Sequence, residues 1–306
     1  MKDTTQLIRL PEALGSASDS PDARARWCCA RLEEGHILFF PQTPFDLPQE
    51  AIQFLLSQGQ SGVWYHKNIA YRPAQDRLTG YAGGGADAVA KLHDVLRSYS
   101  QRVIAFAAEW LSPYALRWRV DFASFRPQQE RGRALRQRAR NDLLHVDSFP
   151  TRPSNGDRIL RVFTNINPRE PRVWITSDTF EGLVERFAGA GMPIPKGLSS
   201  PERILRKCAQ AAGLRSLARS PYDAWMLRFH HFLKAQDDFQ RSSPRSQWEF
   251  PPHGTWIVFT DMVSHAVLSG QHALEQTFVV AKDSLVLPEK APIRVLERLA
   301  GCALTL

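Results

Sequence analysis

A chain of 306 residues, 43% of them hydrophobic, carries enough apolar side chains for one large packed core. No apolar run approaches the ~18 residues that a membrane span needs, and the opening MKDTTQLIRLPEALGSASDS lacks the apolar centre of a signal peptide, so a cytoplasmic chain is expected. Cys28, Cys29, Cys208 and Cys302 show no CxxC spacing and read as reduced thiols, which excludes a disulfide scaffold.

The net charge of +8 is concentrated. Between Arg117 and Arg140 eight arginines face only Asp121 and Glu130, a net +6 within 24 residues. Arginine's planar fork grips carboxylates and phosphates in pairs, so an anionic partner is implied, with a solvated charged loop as the alternative.

In chain order, residues 1–23 are rich in Ser, Asp and Pro and predict a loose lead-in. PDARARWCCARLEEG predicts a helix with Pro21 in its first turn and Gly35 closing it, and HILFFP a short buried strand. DLPQEAIQFLLSQ and GGGADAVAKLHDVLRSYSQRVIAFAAEWL predict two further helices; Gly83 to Gly85 could form an anion nest, but without a GxxxxGKS/T pattern a flexible loop is the better reading. From Leu143 the pattern turns to strands. LLHVD places His145 and Asp147 on one face, and RILRVFTNIN places Arg161, Phe163, Asn165 and Asn167 on one face against Val162, Thr164 and Ile166. Helical spacing occupies most of residues 178–247, including a helix capped by Ser220 with Pro221 in its first position, and strands resume in TWIVFTDMVSHAVLSG and LEQTFVVAKDSLVLP. The expected architecture is a single α+β domain over 1–306, with helices ahead of a β-rich core and a helical insertion within it.

His145, Asp147 and the distant His265 have the sequence form of a 2-His-1-carboxylate facial triad, which holds Fe(II) on one face and leaves positions open. The 118 residues from Asp147 to His265 require the second histidine to arrive on a strand folded back beside the first pair. By itself HxD is a common pattern, and buried, hydrogen-bonded histidines are the alternative. His230 and His231, adjacent on a helix, cannot both face one ion. His36, His66, His93, His253 and His272 have no partner at ligand spacing.

Five blocks, LEEGHILFFPQTPF (32–45), KNIAYRP (67–73), SFRP (124–127), RNDLLHVDSFPTRPSNGDRILRVFTNINPREPRVW (140–174) and SHAVLSGQHALEQTF (264–278), resemble the Kdo hydroxylase family of 3-deoxy-D-manno-octulosonic acid dioxygenases. The resemblance implies a double-stranded β-helix (jelly-roll, cupin-like) core, the ligands His145, Asp147 and His265, and the cofactors Fe(II) and 2-oxoglutarate with O2 as co-substrate. The implied reaction is hydroxylation of carbon 3 of Kdo on Kdo-lipid A, an anionic glycolipid met at the cytoplasmic face of the inner membrane, with no nucleic acid involved. Many such oxygenases place a cation ten or eleven residues after the distal histidine; here Glu275 and Gln276 stand there. Arg161 is the first candidate to pair with the far carboxylate of 2-oxoglutarate, Arg172 or Arg126 next, and an arginine exposed at a strand edge is the structural alternative. Asn165, Asn167 and Gln276 are candidates for hydrogen bonds to the cofactor, and Arg126, Arg131, Arg133, Arg140, Lys67 and Arg72 for holding the substrate's anionic groups. On ligands alone, a metal-dependent hydrolase or a non-enzymatic anion-binding module remains open.

Overall fold

The computed structural model describes residues 5–58, 68–81, 85–189, 191–214 and 218–306. From the N-terminus run β1 (Leu7–Arg9), α1 (Pro21–Glu33), β2 (Ile37–Phe40), α2 (Gln49–Leu56), β3 (Ile69–Arg72), β4 (Arg77–Thr79), α3 (Ala86–Trp110), α4 (Ser112–Ala115) and β5 (Trp118–Arg126). After a segment with little regular structure come β6 (Arg158–Asn165), β7 (Arg172–Thr179), α5 (Phe180–Phe187), α6 (Ser200–Ala211), α7 (Pro221–Ala235) and α8 (Asp237–Ser242). The chain ends with β8 (Ser246–Phe250), β9 (Thr255–Phe259), β10 (Val263–Ser269), β11 (Ala273–Val280) and α9 (Pro292–Ala300).

Alternation along the strands sorts side chains onto two faces, and that sorting builds the fold. The large sheet has the order β1-β2-β9-β6-β11-β5-β3-β4, and the small one β10-β7-β8. Leu38 and Phe40 of β2, Leu160 and Val162 of β6, Ile257 and Phe259 of β9, and Leu274 and Phe278 of β11 point outward under the helices. Leu92, Leu96, Tyr99, Val103 and Phe106 recur at helical spacing on α3 and cover that face together with Cys28, Cys29 and Leu32 of α1. The opposite faces enclose a second core between the sheets: Ile37, Phe39, Phe163, Trp256 and Val258 from the large sheet against Trp174, Phe250, Val263 and Val267 from the small one. This is a jelly-roll core, with α5 to α8 standing between β7 and β8 in sequence.

Local signals set the helix ends as expected. Ser20 accepts from the Ala23 amide ahead of Pro21, Gly35 follows α1 with φ +89°, and Ser220 accepts from the Asp223 amide to open α7. Three expectations are corrected. Residues 7–9, inside the supposed loose lead-in, pair in parallel with residues 37–39, because the short edge of β2 was open to them. The arginine-rich stretch is not one loop, since β5 takes its first part into the large sheet between β11 and β3. LLHVD is not a regular strand; its backbone meets β10 at one bridge, His145 to His265, with reciprocal hydrogen bonds of 3.1 and 2.9 Å. The glycine run falls partly outside the described residues.

Away from the cavity, Arg158 and Asp261 form a bidentate pair, Nε to Oδ2 2.9 Å and Nη2 to Oδ1 3.2 Å, with side chains 0% and 1% exposed. The guanidinium also lies 4.2 Å from the Phe259 ring centroid. Removing one member leaves a buried charge unpaired. Asp261→Ala should therefore cost about 3–5 kcal/mol in urea unfolding, and Arg158→Met with Asp261→Leu should recover most of it. A cost below about 1 kcal/mol for the single variant would show that the pair is not holding β6 to the β9–β10 turn.

Candidate active site

The segment before β6 brings its ligand-type side chains in from the rim. Leu144 and Val146 are fully buried and anchor it, so His145 and Asp147 turn to the other side, toward the space between the sheets. Val267 N–H to the Asn141 carbonyl (2.8 Å) and Asp147 N–H to the Thr260 carbonyl (2.8 Å) fix the two ends of the segment. The ladder between β10 and β7 shifts register between Val263 and His265, a bulge that re-aims the histidine. The rings of His145 and His265 end 4.7 Å apart, and Trp174 stacks on His265 at 5.3 Å.

Both imidazoles have a defined tautomer. His145 Nδ1 lies 2.7 Å from the Leu143 carbonyl and His265 Nδ1 3.0 Å from the Val263 carbonyl. A carbonyl only accepts, so each Nδ1 carries the proton and each Nε2 keeps its lone pair. Burial lowers both histidines from their ordinary value, with Lys234 adding to the effect at His145, so both are neutral at pH 7. Asp147 Oδ1 stands 3.6 Å from His145 Nε2, and its Oδ2 is held by Arg161 Nη2 at 2.9 Å. Burial would raise the Asp147 carboxyl, but the Arg161 guanidinium outweighs it and holds the group well below the usual carboxylate range. Two imidazole lone pairs and a deprotonated carboxylate are a donor set that suits a divalent transition metal.

These groups line a cavity of about 90 Å³ with Arg126, Asn141, Arg161, Phe163, Arg172, Trp174 and Val267. Its walls carry a chain of ion pairs. Glu275 accepts from Arg126 (2.8 and 2.5 Å) and from Arg161, and Glu130 meets Arg172 at 3.3 Å, Arg133 at 3.5 Å and Arg126 at 3.8 Å. Burial would raise Glu275, yet Arg126 and Arg161 bring it down to about 2. Arg172 is compensated least: burial lowers it to about 10 despite Glu130, and its Nε is buried with no hydrogen-bond partner. It fits because Gly270, at φ +122°, has no Cβ; one there would stand 2.8 Å from Arg172 Cγ.

The sequence candidates divide clearly. His145, Asp147, His265, Arg126, Arg161 and Arg172 meet in the cavity. Asn165 and Asn167 do not: Asn165 donates to the Glu170 and Phe250 carbonyls, and Asn167 accepts from the Arg169 and Glu170 amides, so both are spent on the turn after β6. Gln276 points to the other face of β11, accepting from Ser100 of α3 and donating to the Asp121 carbonyl, because its neighbour Glu275 takes the cavity side. Arg140 pairs with Asp142, Arg133 turns to Glu130, Arg131 is exposed, and Lys67 lies outside the described residues.

Arg72 sits elsewhere, in a groove of about 730 Å³ shared with Arg119, Arg152, Asp121 and Phe122. The Arg72 and Arg152 guanidinium carbons lie 4.5 and 3.9 Å from the Phe122 centroid, and Arg152 also lies 4.3 Å from that of Phe149. Arg161 is 5.8 Å from the Phe149 ring, so Phe149 stands between the groove and the small cavity. Sequence reasoning missed His230. It comes from α7, donates Nδ1–H to the Val146 carbonyl (2.8 Å) and sits 4.9 Å from the His145 ring. Donor atoms of His145, Asp147 and His230 lie within 4.8 Å of one another, yet His230 does not line the cavity, whereas His265 does. No spacing rule ties a helix residue to a segment more than 80 positions earlier.

A family model described as 3-deoxy-D-manno-oct-2-ulosonic acid (Kdo) hydroxylase matches residues 16–303. Three solved structures of the Kdo hydroxylase KdoO, a non-heme Fe(II) α-ketoglutarate-dependent dioxygenase, are similar. The apo form is 35% identical with a TM-score of 0.80 over 93% of this chain and 92% of that one. The complex with α-ketoglutarate and Fe(III) is 32% identical, TM-score 0.82, over 98% of each chain, and the cobalt(II) complex 34% identical, TM-score 0.82, over 98% and 97%. No curated protein sequence matches the chain.

The Glu275 carboxylate gives an acid-limb prediction. A carboxyl depressed to about 2 contributes stability above its ordinary value near 4.5 and loses it as pH falls toward 2. Glu275→Gln should be about 3 kcal/mol less stable than the parent at pH 7, with the gap closing by about pH 2 in urea titrations. A gap independent of pH would contradict the ion-pair account.

Proposed function

The chain belongs to the Kdo hydroxylase family, and on that premise we propose that it hydroxylates carbon 3 of Kdo on Kdo-lipid A at the cytoplasmic face of the inner membrane. It is a non-heme Fe(II)- and 2-oxoglutarate-dependent dioxygenase. The hydrolase and anion-binding alternatives give way to that membership. The observation that carries the reading is the meeting of His145, Asp147 and His265 with Arg126, Arg161 and Arg172 around one cavity.

Nε2 of His145, Nε2 of His265 and Oδ1 of Asp147 hold the ion in this reading, and Arg161 acts on the carboxylate from behind. By occupying Oδ2 it keeps Asp147 deprotonated and aims Oδ1. Arg172 takes the far carboxylate of 2-oxoglutarate, since among the described residues the one carboxylate it meets is Glu130, at 3.3 Å, whereas Arg161 is already shared between Asp147 and Glu275. When bound, Fe(II) supplies with 2-oxoglutarate and O2 the oxidation that replaces a carbon-bound hydrogen by hydroxyl, giving succinate and CO2. Trp174 and Phe163 wall off water behind the site. The phosphates of the substrate lie in the groove beyond Phe149, where Arg72, Arg119 and Arg152 outnumber Asp121.

Two expected outcomes separate the roles. In anaerobic Co(II) titrations followed by visible absorbance, Asp147→Ala and His265→Ala should weaken binding at least about a hundredfold, beyond the usual effect of losing an outer partner, while His230→Ala stays within about tenfold. Loss of binding in His230→Ala with retention in His265→Ala would exchange the two histidines. In steady-state assays, Arg172→Gln should raise the KM for 2-oxoglutarate roughly ten- to a hundredfold and spare metal binding, whereas Arg161→Gln should weaken the metal first. The reverse pattern would return the keto-acid role to Arg161.

A further inference from the structure

Helix α6 is built inside out. Ile204 is 64% and Leu205 70% exposed, and Leu214 just past its end is 52% exposed. At 100° per residue Ile204, Cys208 and Ala211 form one outward stripe, with Leu205 and Ala212 alongside. The inward side carries Arg203, Arg206 and Ala209: Arg206 donates to the Arg219 carbonyl, and Ala209 is the one buried residue described on the helix. A surface helix ordinarily turns its apolar stripe to the core. This one holds its shape from local signals instead, with Pro201 in the first turn and a reciprocal capping box between Ser199 and Glu202.

What covers the stripe is indicated by its surroundings. Leu205, Ala209, Ala212 and Leu214 line an apolar depression of about 570 Å³, while Gln210 and Gly213, on the flank of the same segment, line the basic groove with Arg72, Arg119 and Arg152. The apolar surface and the anion-binding surface therefore share an edge. Lys207, and Arg203 at the edge of the inward side, flank the stripe, while Glu202, the one acidic residue of the helix, lies across from it, so a second copy of the chain would set like charges against each other. A surface with negative charge outside and hydrocarbon beneath is complementary to both features.

We propose that α6 docks the enzyme on an anionic bilayer, lying in the headgroup layer with Ile204, Leu205 and Leu214 among the acyl chains, so that the groove opens where the sugar of a membrane glycolipid projects. The proposal rests on the reading of the substrate as Kdo-lipid A for its purpose, but its test does not use that substrate. The full chain is sedimented with vesicles of phosphatidylethanolamine and phosphatidylglycerol, or of phosphatidylcholine alone, with light scattering on the free protein. The parent should partition onto the anionic vesicles and release as salt rises. Ile204→Asp with Leu205→Asp should lower the partition at least tenfold with an unchanged thermal transition; the milder pair Ile204→Ala with Leu205→Ala should lower it severalfold and serves if the first pair misfolds. Arg203→Glu with Lys207→Glu should remove the preference for anionic lipid. Partition of the stripe variants equal to the parent's, or a parent dimer that the stripe variants dissociate, would overturn the proposal. Vesicle binding through α6 without turnover of Kdo-lipid A would leave the docking standing and overturn the substrate reading alone.

Discussion

The contact between Asp147 Oδ2 and Arg161 Nη2, 2.9 Å long and 13–14% exposed, sets the conditions for the rest of the site. Left alone between two sheets, a carboxylate would take up a proton and lose its value as a ligand. With Arg161 behind it the charge stays, and one oxygen remains turned toward the two imidazoles. Arg161 in turn is neutralised by Glu275, Glu275 by Arg126, and Arg126 reaches Glu130 beside Arg172 and Arg133. Four guanidiniums thus face three carboxylates. Adding a divalent cation and a dianionic keto acid leaves that sum unchanged, which is why the wall can accept both without rebuilding itself.

Such a network works only if the frame does not yield. The aromatic core between the sheets supplies the stiffness: Phe250 stacks on Trp256 at 3.9 Å, Trp256 on Phe163 at 5.2 Å, and Trp174 closes on both Phe163 and His265. The bulge beside His265 and the glycine opposite Arg172 are the two places where regular strand geometry gives way, and each frees a side chain to reach the cavity. The three proposed ligands are carried by an edge segment and a bulged strand, while Arg126, Arg161 and Glu275 come from the central strands. Metal loading and backbone rigidity are in this way assigned to different parts of one sandwich.

Much of this was legible in residue order. Alternation alone set Arg161 and Phe163 on one face of β6, and HxD with a distant histidine picked out three residues that meet in the cavity lining. What escaped has physical causes. Glu275 and Gln276 are neighbours on one strand, and only the pairing of β11 between β5 and β6 decides that the glutamate faces the arginines while the glutamine faces α3. Asn165 and Asn167 shared the correct strand face, but the turn that follows consumes their hydrogen bonds. The arginine-rich segment reads as one block of charge, although β5 separates members in a sheet from members in a loop and each settles on its own carboxylate. His230 had no signal, because its position depends on how α7 packs over the segment 143–147.

The claim that organises these observations is that one cavity accepts a metal ion and a keto acid together. Ligands that meet in one site share their binding energy reciprocally. Among the described residues no helix is long and apolar enough to cross a membrane. The decisive measurement is an anaerobic calorimetric titration of 2-oxoglutarate into the full chain, with and without Co(II). The account predicts that Co(II) tightens 2-oxoglutarate at least tenfold, with an equal tightening of Co(II) by 2-oxoglutarate. Affinities for the two that are independent of each other would contradict it.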